Sequence, residues 1–229
     1  MNFINITKDV FPLLLRGMFV TIELTISALF FAVILGLAAC FAHLSKRKVF
    51  NLLAKGYIGV IRGTPLLVQT FFVYFGVPQL FQSFGVDVRL TAFLAGTITL
   101  SLNAGAYMAE IFRGGVQAVD HGQMEAARSL GLSYGQAMRR VVLPQALRIS
   151  IPSLMNQFII SLKDTSIISV ISLADICYEA KIYIGRTMQS FVTWSVVGLF
   201  YLAVILVLSH VSARIEKRLS ISDRKSHSS

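Results

Sequence analysis

The chain has 229 residues, of which 55% are hydrophobic and only 14% charged. A soluble domain carries roughly 25% charged residues, so this chain cannot clothe a water-exposed surface, and neither a disordered chain nor an ordinary soluble enzyme fits. The net charge of +10 would suggest nucleic acid in a soluble protein; here it is read as membrane topology. Several near-continuous apolar runs of about 20 residues mark a helical integral membrane protein, and the short alternating segments of an outer-membrane barrel are absent.

Five spans are expected, over residues 18–43, 64–84, 90–112, 149–174 and 187–213. The first is too long for a signal-peptide core. The fourth is interrupted by Lys163 and Asp164. An odd number of spans puts the termini on opposite sides, and the basic residues choose between the two orientations. One side gathers Lys46, Arg47, Lys48, Lys55 and Arg62, then Arg113, Arg128, Arg139, Arg140 and Arg148, then Arg214, Lys217, Arg218, Arg224 and Lys225. The other holds Lys8, Arg16, Arg89, Lys181 and Arg186. Short cytoplasmic loops are rich in Lys and Arg, so the N-terminus is expected outside and the C-terminus in the cytoplasm. The Ser-rich end, Ser220 to Ser229, reads as a frayed tail.

Between the first two spans, Val49, Leu53, Tyr57 and Val60 share one face of a helix lying along the cytoplasmic interface. Cys40 and Cys177 have no paired spacing and are read as packing residues. Glu23, His43 and His210 lie near span ends and read as interfacial, with no second ligand at metal spacing.

Residues 113–148 form the longest loop, and its punctuation predicts two short helices. Asp120 with Gln123, and Ser133 with Gln136, are capping-box patterns. Gly131 sits where a left-handed cap would end the first helix, and Pro144 stops or bends the second. Met124, Ala127 and Leu130 form an apolar stripe on the first helix, a docking face for a soluble partner.

The stretch Glu125–Pro144, EAARSLGLSYGQAMRRVVLP, resembles the EAA loop of ABC-transporter permeases at Glu125, Ala126, Ala127, Gly131, Val141, Leu143 and Pro144. Three further stretches resemble the branch that imports polar amino acids: RGTPLLVQTFFVYFGVP (Arg62–Pro78), AYMAEIFRGGV (Ala106–Val116) and NQFIISLKDTSI (Asn156–Ile167). That branch often carries an acidic residue three positions before Arg-Gly-Thr-Pro, where this chain has Gly59.

The resemblance implies a single all-α domain with the type I importer permease fold, multi-pass in the cell membrane. It implies pairing with a second permease subunit, as homodimer or heterodimer, with two cytoplasmic ABC ATPases and an external solute-binding protein. Glu125, Ala126, Ala127, Gly131, Leu143 and Pro144 would couple to the ATPase. The chain lacks GxxxxGK[ST], so ATP is expected on the partner ATPase, with no cofactor or metal on this chain and no catalytic residue. The alternative is a self-contained ion-coupled carrier or channel.

Ionisable groups inside a span cost about 2.5–3.5 kcal/mol each on insertion scales and normally face a cavity or a partner. Counted from Pro152, Lys163 and Asp164 lie roughly 16–18 Å along the helix, near mid-membrane, with Thr165 and Ser166 continuing a polar strip. An amino acid needs acceptors for its ammonium and donors for its carboxylate. Lys163 and Asp164 either supply these, or pair with each other or across subunits, or Lys163 snorkels towards the surface. On the third span Asn103, Tyr107 and Glu110 share a face; Glu110 either pairs locally with Arg113 or rims a cavity. Gln69 and Tyr74 face either the pathway or another helix.

Overall fold

A computed structural model describes residues 3–226, with side chains through Lys217. Among the described residues every regular element is helical. Helix α1 (Phe3–Leu44) is 42 residues long and reaches beyond the expected first span at its outer end. α2 (Lys48–Arg62) follows, then α3 (Leu66–Phe71), a π-helical turn (Phe72–Gly76) and α4 (Val77–Ser83), which together form the second span. α5 (Ala92–Gln117) is the third span. α6 (His121–Ser129) and α7 (Tyr134–Ala137) occupy the loop. A second π turn (Met138–Val142) leads into α8 (Leu143–Ile168), then α9 (Ile176–Thr187) and α10 (Ser190–Ser226).

Three helices, α1, α5 and α10, are long and apolar enough to cross a membrane, and α2 with α3–α4 adds a fourth only if that pair, bent by 106°, is taken as one span. α8 has the length, at 26 residues, but Arg148, Lys163 and Asp164 break its apolarity. The fourth span was expected to continue to Ala174. Instead α8 stops at Ile168, a 3₁₀ turn covers Ser169–Ile171, and Ser172 takes φ 62°. The chain then forms α9, which the sequence reading left between spans; its N-cap Asp175 accepts from Tyr178 N at 2.8 Å. The tail expected to fray from Ser220 is helical to Ser226, and the rest of it lies outside the described residues.

α5 is the central helix, lying between α1 and α8. The α1–α5 seam is made of small residues: Ala28, Ala32 and Gly36 face Ser101, Ala104, Gly105 and Met108. A Cβ on Gly36 would stand 2.8 Å from the Met108 Cβ, so only glycine lets the two backbones approach this closely. Hydroxyls in this core are satisfied within the helices. Thr25 donates to Thr21 O at 2.7 Å and Thr99 to Ala95 O at 2.8 Å, and Ser101 reaches across to Ala28 O at 3.1 Å. In a medium without water an unpaired hydroxyl would cost several kcal/mol. On the other side of α5, Ser150 of α8 donates to Ile111 O at 3.3 Å. α9 and α10 complete a second apolar cluster with the outer half of α1, built on Val10, Leu14, Ile176 and Val196.

α2 lies against the C-terminal halves of α1 and α5, and its axis turns by 106° into α3–α4. Gly63, Thr64 and Pro65 make the corner. Proline keeps Thr64 out of the helical region and has no N–H to extend α2. Of the four residues expected on the free face of α2, Val49, Leu53 and Val60 are exposed, but Tyr57 turns inward and donates to Leu102 O at 2.6 Å.

Candidate translocation site and coupling loop

Two groups of polar residues stand in or near the spans. The first is on the side of α5 that faces α2 and α3. Asn103 is buried, and its amide donates to Gln69 Oε1 at 3.0 Å. Gln69 in turn donates to Ile61 O at 2.7 Å and to Thr64 Oγ1 at 2.9 Å, so it braces the α2–α3 corner against α5. Tyr74 packs into the apolar cluster around Leu24 and Ile168. One turn further along α5, Tyr107 lies under the Arg62 guanidinium, 5.2 Å from its ring centre.

Glu110 ends the row as a hub. Arg113 donates to both of its oxygens, at 3.0 and 2.7 Å. Arg62 approaches to 3.6 Å from α2 and His43 to 3.6 Å from the end of α1. The pair with Arg113 was expected from spacing. Arg62 and His43 were missed, because neither is near Glu110 in sequence; the only signal was a basic residue at the head of the Arg-Gly-Thr-Pro stretch.

The second group is on α8. Its open strip runs through Pro152, Asn156, Lys163 and Val170. Lys163 is exposed and Asp164 half-buried beside it. No ion pair within 4.0 Å joins them, and neither side chain has a hydrogen-bond partner among the described residues. Ser166 lies half-buried and donates to Lys163 O at 2.7 Å. Thr165 is fully buried and donates to Leu162 O at 2.7 Å, so it faces the protein interior and does not continue the strip. α5 and α8 run antiparallel, with Gly96 against Ile168 and Gly115 against Ser150. This register puts Asn103 and Asp164 at depths about one helical turn apart. No hydrogen bond or ion pair connects the two groups among the described residues.

The loop between α5 and α8 is ordered by its own caps. Asp120 caps α6 through Gly122 N at 2.7 Å. The reciprocal half of that expected capping box is missing, because Gln123 accepts from Gln145 at 3.1 Å and ties α6 to α8 instead. α6 ends in a Schellman pattern: Leu132 N donates to Ala127 O at 3.2 Å, Gly131 N to Arg128 O at 3.0 Å, and Gly131 has φ 85°. Ser133 and Gln136 form the second box in full.

Two expectations for this loop are corrected. The apolar stripe is not one outward face: Ala127 is buried, Met124 packs on Val119, Val142 and Ala146, and Leu130 alone points out, 85% exposed. Pro144 does not stop the second helix. α7 passes through the π turn straight into α8, with Pro144 in the first turn, where the change in hydrogen-bond register absorbs the N–H that proline lacks. The exposed face of α6 is therefore Glu125, Ala126 and Arg128, with Leu130 and then Tyr134 beside it. Glu125 has no ion-pair partner among the described residues. Leu143 is half-buried and Pro144 exposed. Lys46, from the α1–α2 turn, stands 5.6 Å from the Tyr134 ring centre, a contact not read from the sequence.

Residues 28–221 match the family of binding-protein-dependent transport system inner membrane components. The chain belongs to that family. The permease is 40% identical over 210 residues to the glutamine transport system permease protein GlnP of Escherichia coli (strain K12), covering 92% of this chain and 94% of the relative. It is 35% identical over 212 residues to the arginine transport system permease protein ArtQ of Bacillus subtilis (strain 168), covering 93% and 94%. A crystal structure of an amino acid ABC transporter with histidines superposes with TM-score 0.87 at 40% identity, covering 95% of this chain and 99% of that one. A methionine ABC transporter in an inward-facing form shares the fold at TM-score 0.75 and 17% identity. The permease is thus a membrane-embedded translocation component with the type I importer fold, and ATP hydrolysis lies in separate subunits.

Proposed function

We propose that the permease conducts polar amino acids inward as one of two permease subunits, supplied by an external binding protein and driven by two cytoplasmic ATPases. The observation that carries this is the neighbouring pair Lys163 and Asp164 on α8: one exposed and one half-buried, with no ion pair within 4.0 Å between them and no side-chain hydrogen bond to another described residue. Leaving two unpaired charges there costs several kcal/mol, and a zwitterion is the solute whose two ends would offset both. Asp164 accepts from the substrate ammonium; Lys163 faces the carboxylate. Asn103, held by Gln69, Tyr107 and the Glu110 hub form the inner rim of the path on α5. The second permease subunit closes the path from the open side of α8.

In this reading the whole chain works as one membrane domain with the 113–148 loop in the cytoplasm. The exposed Glu125, Ala126 and Leu130 receive the ATPase, and buried Ala127, half-buried Leu143 and exposed Gly131 and Pro144 shape the surface that presents them. Names of the relatives in glutamine and arginine transport support an amino acid substrate.

The test is the reconstituted complex with its cognate binding protein, assayed for ATP-driven uptake of a panel of labelled amino acids. Uptake of one or a few polar amino acids, dependent on ATP and binding protein, is expected. Uptake by the purified permease alone along an ion gradient would overturn the proposal.

A further inference from the structure

Helix α2 has three sides. The first seats it on the protein: Ala54 and Ile58 are buried against α1 and α5, and Tyr57 bonds to Leu102 O. The second is apolar and open, with Val49, Leu52, Leu53 and Val60 exposed by 67%, 71%, 65% and 64%. The third is basic: Lys48 and Lys55, seven residues apart and so nearly in line along the helix, with Arg47 at its start. All three basic side chains are exposed and have no hydrogen-bond or ion-pair partner among the described residues. No Asp or Glu occurs between Glu23 and Asp87 to neutralise them. The 106° bend into α3–α4 lays α2 in the plane of the bilayer when the following span stands across it.

We propose that α2 is a docking surface for the anionic phospholipid leaflet. Val49, Leu52, Leu53 and Val60 enter the acyl-chain boundary, and Arg47, Lys48 and Lys55 lie level with headgroup phosphates. A second copy of this chain is the poorer occupant, because a two-fold contact through this face would set Lys48 and Lys55 against the same lysines. The docking has a route to the spans. Arg62, the last residue of α2, pairs with Glu110 and covers Tyr107, so how firmly α2 sits on the lipid bears on the cytoplasmic end of α5. Anionic lipid therefore supports transport through α2. This inference uses the membrane placement of the chain but not the identity of its substrate.

The experiment uses the complete importer in phosphatidylcholine vesicles with and without phosphatidylglycerol. A fluorophore on Leu52→Cys, in an otherwise wild-type complex, is expected to be quenched by acyl-chain nitroxide, and more strongly when phosphatidylglycerol carries it than when phosphatidylcholine does. The variant R47Q/K48Q/K55Q is expected to lose that preference and to gain little from phosphatidylglycerol in ATP-driven uptake, where the wild type gains about threefold or more, a fraction of what three basic residues near a charged leaflet can supply. Equal quenching by the two lipids, quenching by aqueous iodide alone, or cross-linking of Leu52→Cys to a second permease would overturn the proposal. So would an unchanged phosphatidylglycerol response in the triple variant. If the triple variant fails to assemble, the two-lipid quenching comparison decides alone.

Discussion

The C-terminal half of α5 and the middle of α8 each carry an acid, and they treat it in opposite ways. Glu110 is surrounded by Arg113, Arg62 and His43, and these come from three helices. Asp164 has no hydrogen bond and no ion pair within 4.0 Å among the described residues, and Lys163, its neighbour in sequence, acts on it only at longer range. A carboxylate tied to several cations from different helices works as a joint, because its loss leaves several like charges facing one another. A carboxylate left unpaired at similar cost has been kept for something that arrives later. In the proposed function, the contrast separates a structural acid from a substrate-facing one, although both began as ionisable residues in apolar runs.

The largest expected effect comes from breaking the joint. Glu110→Ala leaves Arg62 and Arg113 without a counter-charge; a cost of about 3 kcal/mol is expected, near the lower end for a broken buried pair because the site is partly exposed. Thermal unfolding of the purified complex and membrane abundance should both fall. Normal values for both would make Glu110 a rim residue and dissolve the contrast.

Next is the loop that joins α5 to α8. Gly131→Val puts a β-branched residue at φ 85°, a strain of about 1–3 kcal/mol. Loss of ATPase co-purification with normal membrane abundance is expected. Full ATPase retention and uptake would remove the loop from coupling.

Asp164→Asn tests the other half of the comparison. Because the carboxylate has no partner to abandon, stability should stay within about 0.5 kcal/mol of wild type, while uptake falls at least about tenfold, or 1.4 kcal/mol in the rate-limiting barrier. A stability loss as large as that of Glu110→Ala would show that Asp164 is a joint as well.

The smallest effect belongs to Asn103→Ala. It removes one hydrogen bond to Gln69, worth about 1 kcal/mol, and is expected to shift amino-acid preference with little loss of assembly. Unchanged selectivity in a competition assay would confine Asn103 to bracing the α2–α3 corner.

What was legible in the sequence was local. Gly131, the Ser133–Gln136 box and the long apolar runs each carry their cause within a few residues, and the structure has the matching features. What was not legible depended on contacts distant in the chain. The Glu110 hub needs α1, α2 and α5 to converge. Gln69 could not be assigned until Asn103 stood opposite. Ala127 read as an outward residue because α6 alone does not reveal that Val119 and Val142 cover one side. Pro144 read as a stop or a bend, and the helix continues through it because a π turn, which leaves no compositional mark, precedes it. α9 was passed over because its residues have neither the length nor the apolarity of a span.

The unbroken passage from α7 through the π turn into α8 has a mechanical consequence. From Tyr134 to Asp164 the chain is one continuous helical rod, about 45 Å long at 1.5 Å per residue. Such a rod acts as a lever. If it pivots at its loop end, a tilt of about 5° would carry the Asp164 end sideways by roughly 4 Å over that length, more than a hydrogen bond can stretch. A push at the loop end would thus reach Asp164 through unbroken helix, past the π turn and Pro152, as a grip made or released.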